Sequence, residues 1–236
     1  MQRSLYSTLR TIGETNQVIY TTHSPHFVSI PEYQNVLLVR RTKAGGTAVT
    51  QSRLPDTNWR REKLRQVLDT GRSELFFARR VLIVEGDTER LALPEFAKKI
   101  GIDIDGAAST IVEVGGKRNL KDFADLAISF GVPTGIIYDK DSSVFRGKKD
   151  EEADYNKSLD DLAEPDDSIR IWGLDPDYEA CAKAACGLAG YQKITQRYPE
   201  EDVGKGKARR GRMIAADKDM PVPPQIAEAL RWLCRS

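Results

Sequence analysis

Two apolar runs that each end in carboxylates constrain this chain more than any other feature. The first, Val81-Leu82-Ile83-Val84, is followed by Glu85-Gly86-Asp87-Thr88-Glu89, and the second, Ile136-Ile137-Tyr138, is followed by Asp139-Lys140-Asp141. Each run has the length and composition of a strand that is buried in a parallel sheet. Because ligands bind beyond the carboxyl ends of the strands in open α/β sheets, we expect a functional site where these two runs end.

Four carboxylates would surround this site. Glu85 ends the first strand, Gly86 permits a tight turn, and Glu89 lies in the first turn of the next helix. Asp139 and Asp141 are two residues apart, so in extended backbone their side chains point to the same side. Each motif alone also fits an ordinary helix cap or turn. Four carboxylates close together would repel one another unless a cation kept them ionised. Because hard oxygen ligands favour Mg²⁺ or Mn²⁺ over Zn²⁺, we expect one of these two ions.

Strands and helices alternate from residue 81 onward. Apolar runs predict strands at 81–84, 110–114, 135–138 and 169–172, and the patterns between and after them predict helices at 90–100, 120–130, 180–188 and 225–234. Such alternation is typical of a parallel sheet with right-handed crossovers. The sequence therefore predicts an α/β fold in which helices flank a parallel sheet.

The two carboxylate motifs resemble the Toprim domain of topoisomerases, primases and related nucleases. The string Val84-Glu85-Gly86-Asp87-Thr88-Glu89 is similar, more specifically, to the overcoming-lysogenization-defect (OLD) family, in which an ABC-type ATPase precedes a Toprim nuclease. The resemblance covers roughly residues 15–30 and 75–215. It implies a Toprim-like (Rossmann-like) fold and a DNA endonuclease that uses two divalent ions, Mg²⁺ or Mn²⁺, bound by Glu85, Glu89, Asp139 and Asp141.

The same resemblance implies two further site residues. In OLD-like proteins a glutamate that enters the helix after the last strand joins the acidic cluster, and Glu179 is the candidate here, although a plain helix-start carboxylate explains it equally well. A C-terminal lysine assists catalysis in that family. Lys207, which comes directly before Ala208-Arg209-Arg210 and a predicted helix, is the better match. Lys205 stays an alternative, because the Lys-Pro pair that is frequent in the family is absent from this chain.

Positive charge is concentrated near the C-terminus. The chain as a whole carries 36 Lys and Arg against 35 Asp and Glu, so any affinity for DNA must come from how the charge is distributed. Seven basic residues lie within a short stretch, with glycines at 204, 206 and 211 that would let the backbone follow a phosphate chain: Lys193, Arg197, Lys205, Lys207, Arg209, Arg210 and Arg212. A solvated surface would have the same composition, but beside an acidic site for a polyanion we favour phosphate contact.

The N-terminal residues resemble the end of an ABC-type ATPase domain. Gln17-Val18-Ile19-Tyr20 is predicted to be a buried strand that leads into a turn containing His23. The resemblance implies that His23 is the histidine that senses the nucleotide, but in a chain without the rest of the ATPase we favour a solvent-facing turn residue with no role. A hairpin is predicted around Gly45-Gly46. No Gly-x-x-x-x-Gly-Lys loop occurs, and Gly115-Gly116-Lys117, the nearest approach, lacks the first glycine. We therefore expect this chain to be a fragment that lacks the front of its ATPase domain, through which it could form oligomers.

The patterns divide the chain into four parts. Residues 1–55 are expected to be the ATPase tail, 56–78 a linking helix, 79–190 the Toprim domain, and 191–236 a basic helical segment. Within the Toprim domain, residues 142–168 carry many charges and few apolar residues, which predicts a partly helical insertion on the surface. Three cysteines without Cys-x-x-Cys spacing argue against a disulfide framework and a zinc site. With no membrane span or secretion signal apparent, we expect a cytoplasmic protein.

Three other functions compete with the nuclease. A topoisomerase would need a domain with a nucleophilic tyrosine, and a primase a zinc ribbon, and neither is apparent. A receiver-like signalling module could use Asp139 as phosphoacceptor, but receivers place their paired acids at the first strand. A non-catalytic module that only docks on the ATPase would not need a carboxylate at every motif position.

Overall fold

The N-terminal part of the chain consists of helices, short turns and a hairpin. The computed structural model describes residues 2–42, 45–66, 70–142, 149–165, 167–199 and 206–235. Helix α1 (Gln2–Gly13) comes first, and strands β1 (Leu37–Arg41) and β2 (Thr47–Gln51) pair antiparallel, which confirms the predicted hairpin. Helix α2 (Asn58–Gln66) and a 3₁₀ turn (Thr70–Phe76) follow.

The strand predicted at residues 17–20 is wrong. These residues have no regular secondary structure, and Ile19 is exposed. A strand needs a neighbour to accept its backbone hydrogen bonds, and in the described part of the chain the sheets do not include this segment. His23, just after it, is also exposed.

Four strands form the parallel sheet that the alternating pattern predicts. They are β3 (Val81–Val84), β4 (Thr110–Glu113), β5 (Thr134–Asp139) and β6 (Ile169–Leu174), in the order β4-β3-β5-β6. The two strands that carry the carboxylate motifs are therefore neighbours, as expected. Val84 pairs with Ile137, so Glu85 and Asp139 leave the sheet at the same edge.

The described residues form seven further helices, and none of the described helices is both long and apolar enough to cross a membrane. All seven contribute side chains to the two cores on either side of the sheet, where alternate strand residues face opposite cores: Leu82 and Val84 face one, and Val81 and Ile83 the other. Each fully buried aliphatic side chain contributes about 1.5–3 kcal/mol. The helices are α3 (Asp87–Lys99), α4 (Leu120–Ser129), α5 (Lys149–Asp160), α6 (Tyr178–Cys186), α7 (Leu188–Thr195), α8 (Lys207–Ala216) and α9 (Pro224–Leu233).

The insertion contributes to the core, contrary to the sequence-based expectation. In helix α5, Leu159 is fully buried and Tyr155 packs against the same core as Phe123 of α4, as does Leu162 just after the helix. Tyr155 and Leu159 fall on one face of the helix, while its many charged residues occupy the others. Helix α5 is therefore part of the wall around the sheet edge.

The role predicted for Gly211 is also wrong. Gly211 lies inside helix α8 and packs against the first turn of α3, where a methyl group on Gly211 would approach Thr88 Cγ2 to 2.8 Å. Glycine is required here for close packing of two helices and not for backbone freedom. This packing places the start of α8 beside the carboxylate motif of β3.

Candidate active site

The turn between β3 and α3 holds the first pair of carboxylates. Glu85 follows directly on β3 and is half-buried, and Glu89 is buried in the first turn of α3. The Gly86 N–H donates to Glu89 Oε2 at 3.2 Å, so Glu89 satisfies an N–H group that the helix leaves without an intrahelical partner. The sequence predicted this placement of both residues.

Asp139 joins three elements at the end of β5. Its N–H donates to Glu85 Oε1 at 2.7 Å, and its own Oδ1 accepts from the N–H of Tyr178 at 2.8 Å. Because Tyr178 is the first residue of α6, the positive end of that helix faces the Asp139 carboxylate. The backbone thus fixes one oxygen of Glu85 and one of Asp139.

Asp141 does not have the extended backbone that the sequence analysis assumed. Strand β5 ends at Asp139, and Asp141 adopts a left-handed conformation with φ +53°. Its N–H donates to Pro176 O at 2.8 Å, and Lys117 Nζ lies 3.0 Å from its Oδ2. The two aspartates are therefore not related by strand alternation, although Asp141 remains close enough to raise the pKa values of Glu85 and Asp139.

Burial and mutual repulsion both work against ionisation of these groups. Burial raises the pKa of Glu85 to about 8, with a further contribution from the Asp139 carboxylate, while Lys117 acts in the opposite direction. Burial likewise raises the pKa of Asp139 to about 7, with Glu89 and Asp141 adding to the effect. The pKa of Glu89 is raised too, mainly by burial. Without a bound cation these groups therefore resist ionisation near neutral pH, and the cations of the chain itself do not offset this effect.

These residues suit a hard divalent cation by their chemistry. All the donors are carboxylate oxygens, and a bound cation would remove the repulsion that raises their pKa values. Among the described residues, no group of three or more His, Cys, Asp and Glu side chains stands in a ready-made metal-ligand arrangement. Glu85, Glu89 and Asp139 instead each use one carboxylate oxygen to accept a backbone N–H group.

Glu179 and Lys207 lie beside this cluster and pair with each other. Lys207 Nζ is 3.4 Å from Glu179 Oε1, and the two side chains are 78% and 45% exposed. Lys207 also lowers the pKa of Glu89 through its charge. Both line a cavity of about 530 Å³ between α3, α6 and α8, together with Thr88, Tyr178 and Arg210. Lys205, the alternative catalytic lysine, lies outside the described residues.

Sequence reasoning missed two basic residues at this sheet edge. The Arg72 guanidinium donates to two groups of Glu113, the last residue of β4: to the side-chain carboxylate at 2.5 Å and to the backbone carbonyl at 2.7 Å. Arg72 therefore neutralises one carboxylate at this edge. Lys117 does the same for Asp141. The signal for Lys117 was the Gly-Gly-Lys that follows β4, because the carboxyl ends of parallel strands meet at one edge. For Arg72 the sequence held no signal.

Known proteins similar to this chain point to one family. Residues 76–141 match the family described as "Overcoming lysogenization defect protein-like, TOPRIM domain". The chain is 27% identical over 237 residues to the OLD nuclease of Thermus scotoductus. The aligned region includes 98% of this chain but only 41% of the length of that relative.

Two solved structures are also similar to the chain. The C-terminal region of the Xanthomonas campestris pv. campestris OLD protein is 24% identical, with a TM-score of 0.47 over 68% of this chain and 94% of that one. The corresponding region from Burkholderia pseudomallei is 20% identical, with a TM-score of 0.49 over 67% and 98%. Residues 76–141, which contain all four motif carboxylates, are therefore the part of the chain that matches the OLD-like Toprim family.

Proposed function

We propose that this chain hydrolyses phosphodiester bonds of DNA with the help of Mg²⁺ or Mn²⁺, as an endonuclease. The observation that carries the proposal is the pair Glu85 and Asp139, which are joined by a hydrogen bond at the ends of adjacent strands. The raised pKa values of these groups, about 8 and about 7, support this proposal, because a cation from outside the chain would favour their ionised forms. The relation to a protein named OLD nuclease supports the same reaction class.

The carboxylates would hold the ions and the backbone would hold the carboxylates. Glu85, Glu89, Asp139 and Asp141 are the proposed ligands, with Glu179 as an additional one from α6. Divalent ions held there would supply the acidity that activates water and would stabilise charge on the leaving 3′ oxygen. The N–H groups of Asp139 and Tyr178 orient one oxygen of Glu85 and one of Asp139, which leaves the second oxygens for cations.

Helix α8 would provide the contact with DNA. Lys207 is exposed at the first position of the helix, and only Glu179, at 3.4 Å, forms an ion pair with it in the described residues. A phosphate that replaced Glu179 would receive this ammonium next to the acidic cluster. There Lys207 would offset the negative charge that builds up on the phosphate during attack. Arg209, which is exposed on the same helix, would add sequence-independent attraction to the backbone.

Cleavage of supercoiled plasmid tests the proposal directly. The purified chain is incubated with Mg²⁺, Mn²⁺, Ca²⁺ or EDTA, each with and without ATP. We expect nicked or linear DNA with Mg²⁺ or Mn²⁺ and no dependence on ATP, because the chain has no phosphate-binding loop of the Gly-x-x-x-x-Gly-Lys kind. Cutting that persists in EDTA would show that the carboxylates are not a metal site.

A further inference from the structure

Lys117 is a buried cation at the same sheet edge as the acidic site. It follows β4 after Gly115 and Gly116, which have φ values of 72° and 125° that favour glycine. The side chain of Lys117 is only 9% exposed. A lysine is almost never buried to this extent without partners, because desolvation of the ammonium is costly.

The ammonium is held by two carboxylates and an aromatic ring. Lys117 Nζ lies 3.0 Å from Asp141 Oδ2, 3.3 Å from Glu152 Oε2 and 5.6 Å from the centroid of the Tyr138 ring. The hydroxyl of Tyr155 donates to the Lys117 carbonyl at 2.8 Å. Both the backbone and the side chain of Lys117 are therefore fixed by helix α5.

Asp141 needs such a partner because its backbone is strained. Its φ of +53° is unfavourable for a residue with a side chain, and the conformation persists only where surrounding contacts hold it. The Pro176 carbonyl holds its N–H, Lys117 holds its carboxylate, and Asn156 of α5 donates to the preceding carbonyl of Lys140 at 2.9 Å. Lys117 is thus the contact that determines where the Asp141 carboxylate lies.

We propose that Lys117 is a positioning residue that holds Asp141 ready to bind a divalent ion. The inference rests on the proposed function, in which Asp141 is a ligand. Carboxylates that bind metals are commonly oriented by hydrogen bonds from a second group, and loss of that group typically lowers metal affinity or activity by about 10–100-fold. One oxygen of Asp141 would stay with Lys117 and the other would take the ion.

The sign of the effect separates positioning from plain electrostatics. Removing a positive charge close to Asp141 should, by Coulomb attraction alone, strengthen the binding of a cation. A positioning role predicts the opposite, because an unheld Asp141 must be ordered when the ion binds. Metal affinity therefore discriminates between the two without any measurement of DNA cleavage.

Calorimetric titration with MnCl₂, without DNA, tests this on the whole chain. We expect Lys117→Met and Lys117→Gln to bind Mn²⁺ about 10–100-fold more weakly than the wild type, and Lys117→Arg to retain part of the affinity. Lys121→Met is the matched control, because Lys121 pairs with Asp125 on α4 and its loss should leave affinity unchanged.

Each other result overturns the inference in a recognisable way. Equal or tighter binding by folded Lys117→Met or Lys117→Gln would show that Lys117 does not position a ligand. Loss of the circular dichroism signal in both neutral variants would make Lys117 a structural residue. Absence of Mn²⁺ binding by the wild type would overturn the proposed function, and the inference with it, whereas binding that is the same in all variants would overturn the inference alone.

Discussion

Two lysines flank the acidic site, and they differ in burial, number of partners and origin. Lys117 is 9% exposed, comes from the turn after β4, and contacts Asp141, Glu152 and the Tyr138 ring. Lys207 is 78% exposed at the start of α8 and lies 3.4 Å from Glu179. A buried charge is held by its partners, whereas an exposed one is screened by solvent and exchanges partners cheaply.

The difference indicates two separate tasks for positive charge at one site. A cation with several fixed partners suits the orientation of ligands before substrate arrives. An exposed cation suits an anionic substrate, because only a solvent-screened ion pair must break before the substrate can bind to it. The predictions below are designed to separate these tasks, from the largest expected effect to the smallest.

The largest effect should come from the two carboxylates at the centre of the site. Asp139→Ala or Glu85→Ala should abolish plasmid cleavage, since each removes an oxygen from the paired centre. Far-UV circular dichroism should show an intact fold, because neither side chain belongs to the two apolar cores. Wild-type activity in either variant would remove that residue from the site, and unfolding would make it structural.

Lys207→Ala should lower the single-turnover cleavage rate by roughly 10²–10³, the usual cost of one lost transition-state donor. DNA affinity, measured in Ca²⁺, should change little. Lys205→Ala is the matched control, with the same charge change in the same segment. If Lys207 only touches a backbone phosphate, the variant will instead lose affinity and reduce the salt slope by about 1.

Excess metal should separate the two lysines. Lys117→Met should lose cleavage at low Mn²⁺ and recover most of it when Mn²⁺ is raised by about 10–100-fold, because its defect is in metal affinity. Lys207→Ala should not recover, because its defect is in the reaction with phosphate. Rates are measured across a Mn²⁺ titration at saturating DNA. Recovery of both variants, or of neither, would contradict the division of tasks.

The smallest effect concerns the stability of the metal-free protein. The pKa of Glu85 rises from 4.5 to about 8 on folding, so the folded state binds more protons than the unfolded state between these values. The free energy of unfolding should therefore fall as pH rises through this range. Chemical denaturation at several pH values measures it. Glu85→Gln should make the slope less steep, and an unchanged slope in that variant would show that folding does not raise the pKa of Glu85.

Local sequence determined the central part of this arrangement. The apolar runs at 81–84 and 136–138 predicted two adjacent strands, and the glycine and acids that follow them predicted the turn and the meeting of Glu85 with Asp139. These features depend on strand burial and helix starts, which are properties of short segments.

The remaining contacts depend on segments that are distant in the chain. The left-handed backbone of Asp141 is held by Lys117 and Pro176, and Arg72 reaches Glu113 from before the first strand of the sheet. Helix α5 packs against the core through Leu159, although most residues of its segment are charged. No pattern within a single segment specifies such partners, because only the folded sheet brings them to one edge.

Gly211 has a consequence for how inactive variants of this protein would be interpreted. Since a methyl group at this position would meet Thr88 Cγ2 at 2.8 Å, even alanine would require α8 or the Thr88 side chain of α3 to shift. We expect such a variant to keep every acidic and basic residue of the site and yet to lower the proposed activity. A survey that compared only charged positions would count its site as intact, and the error would come from a residue that has no side chain.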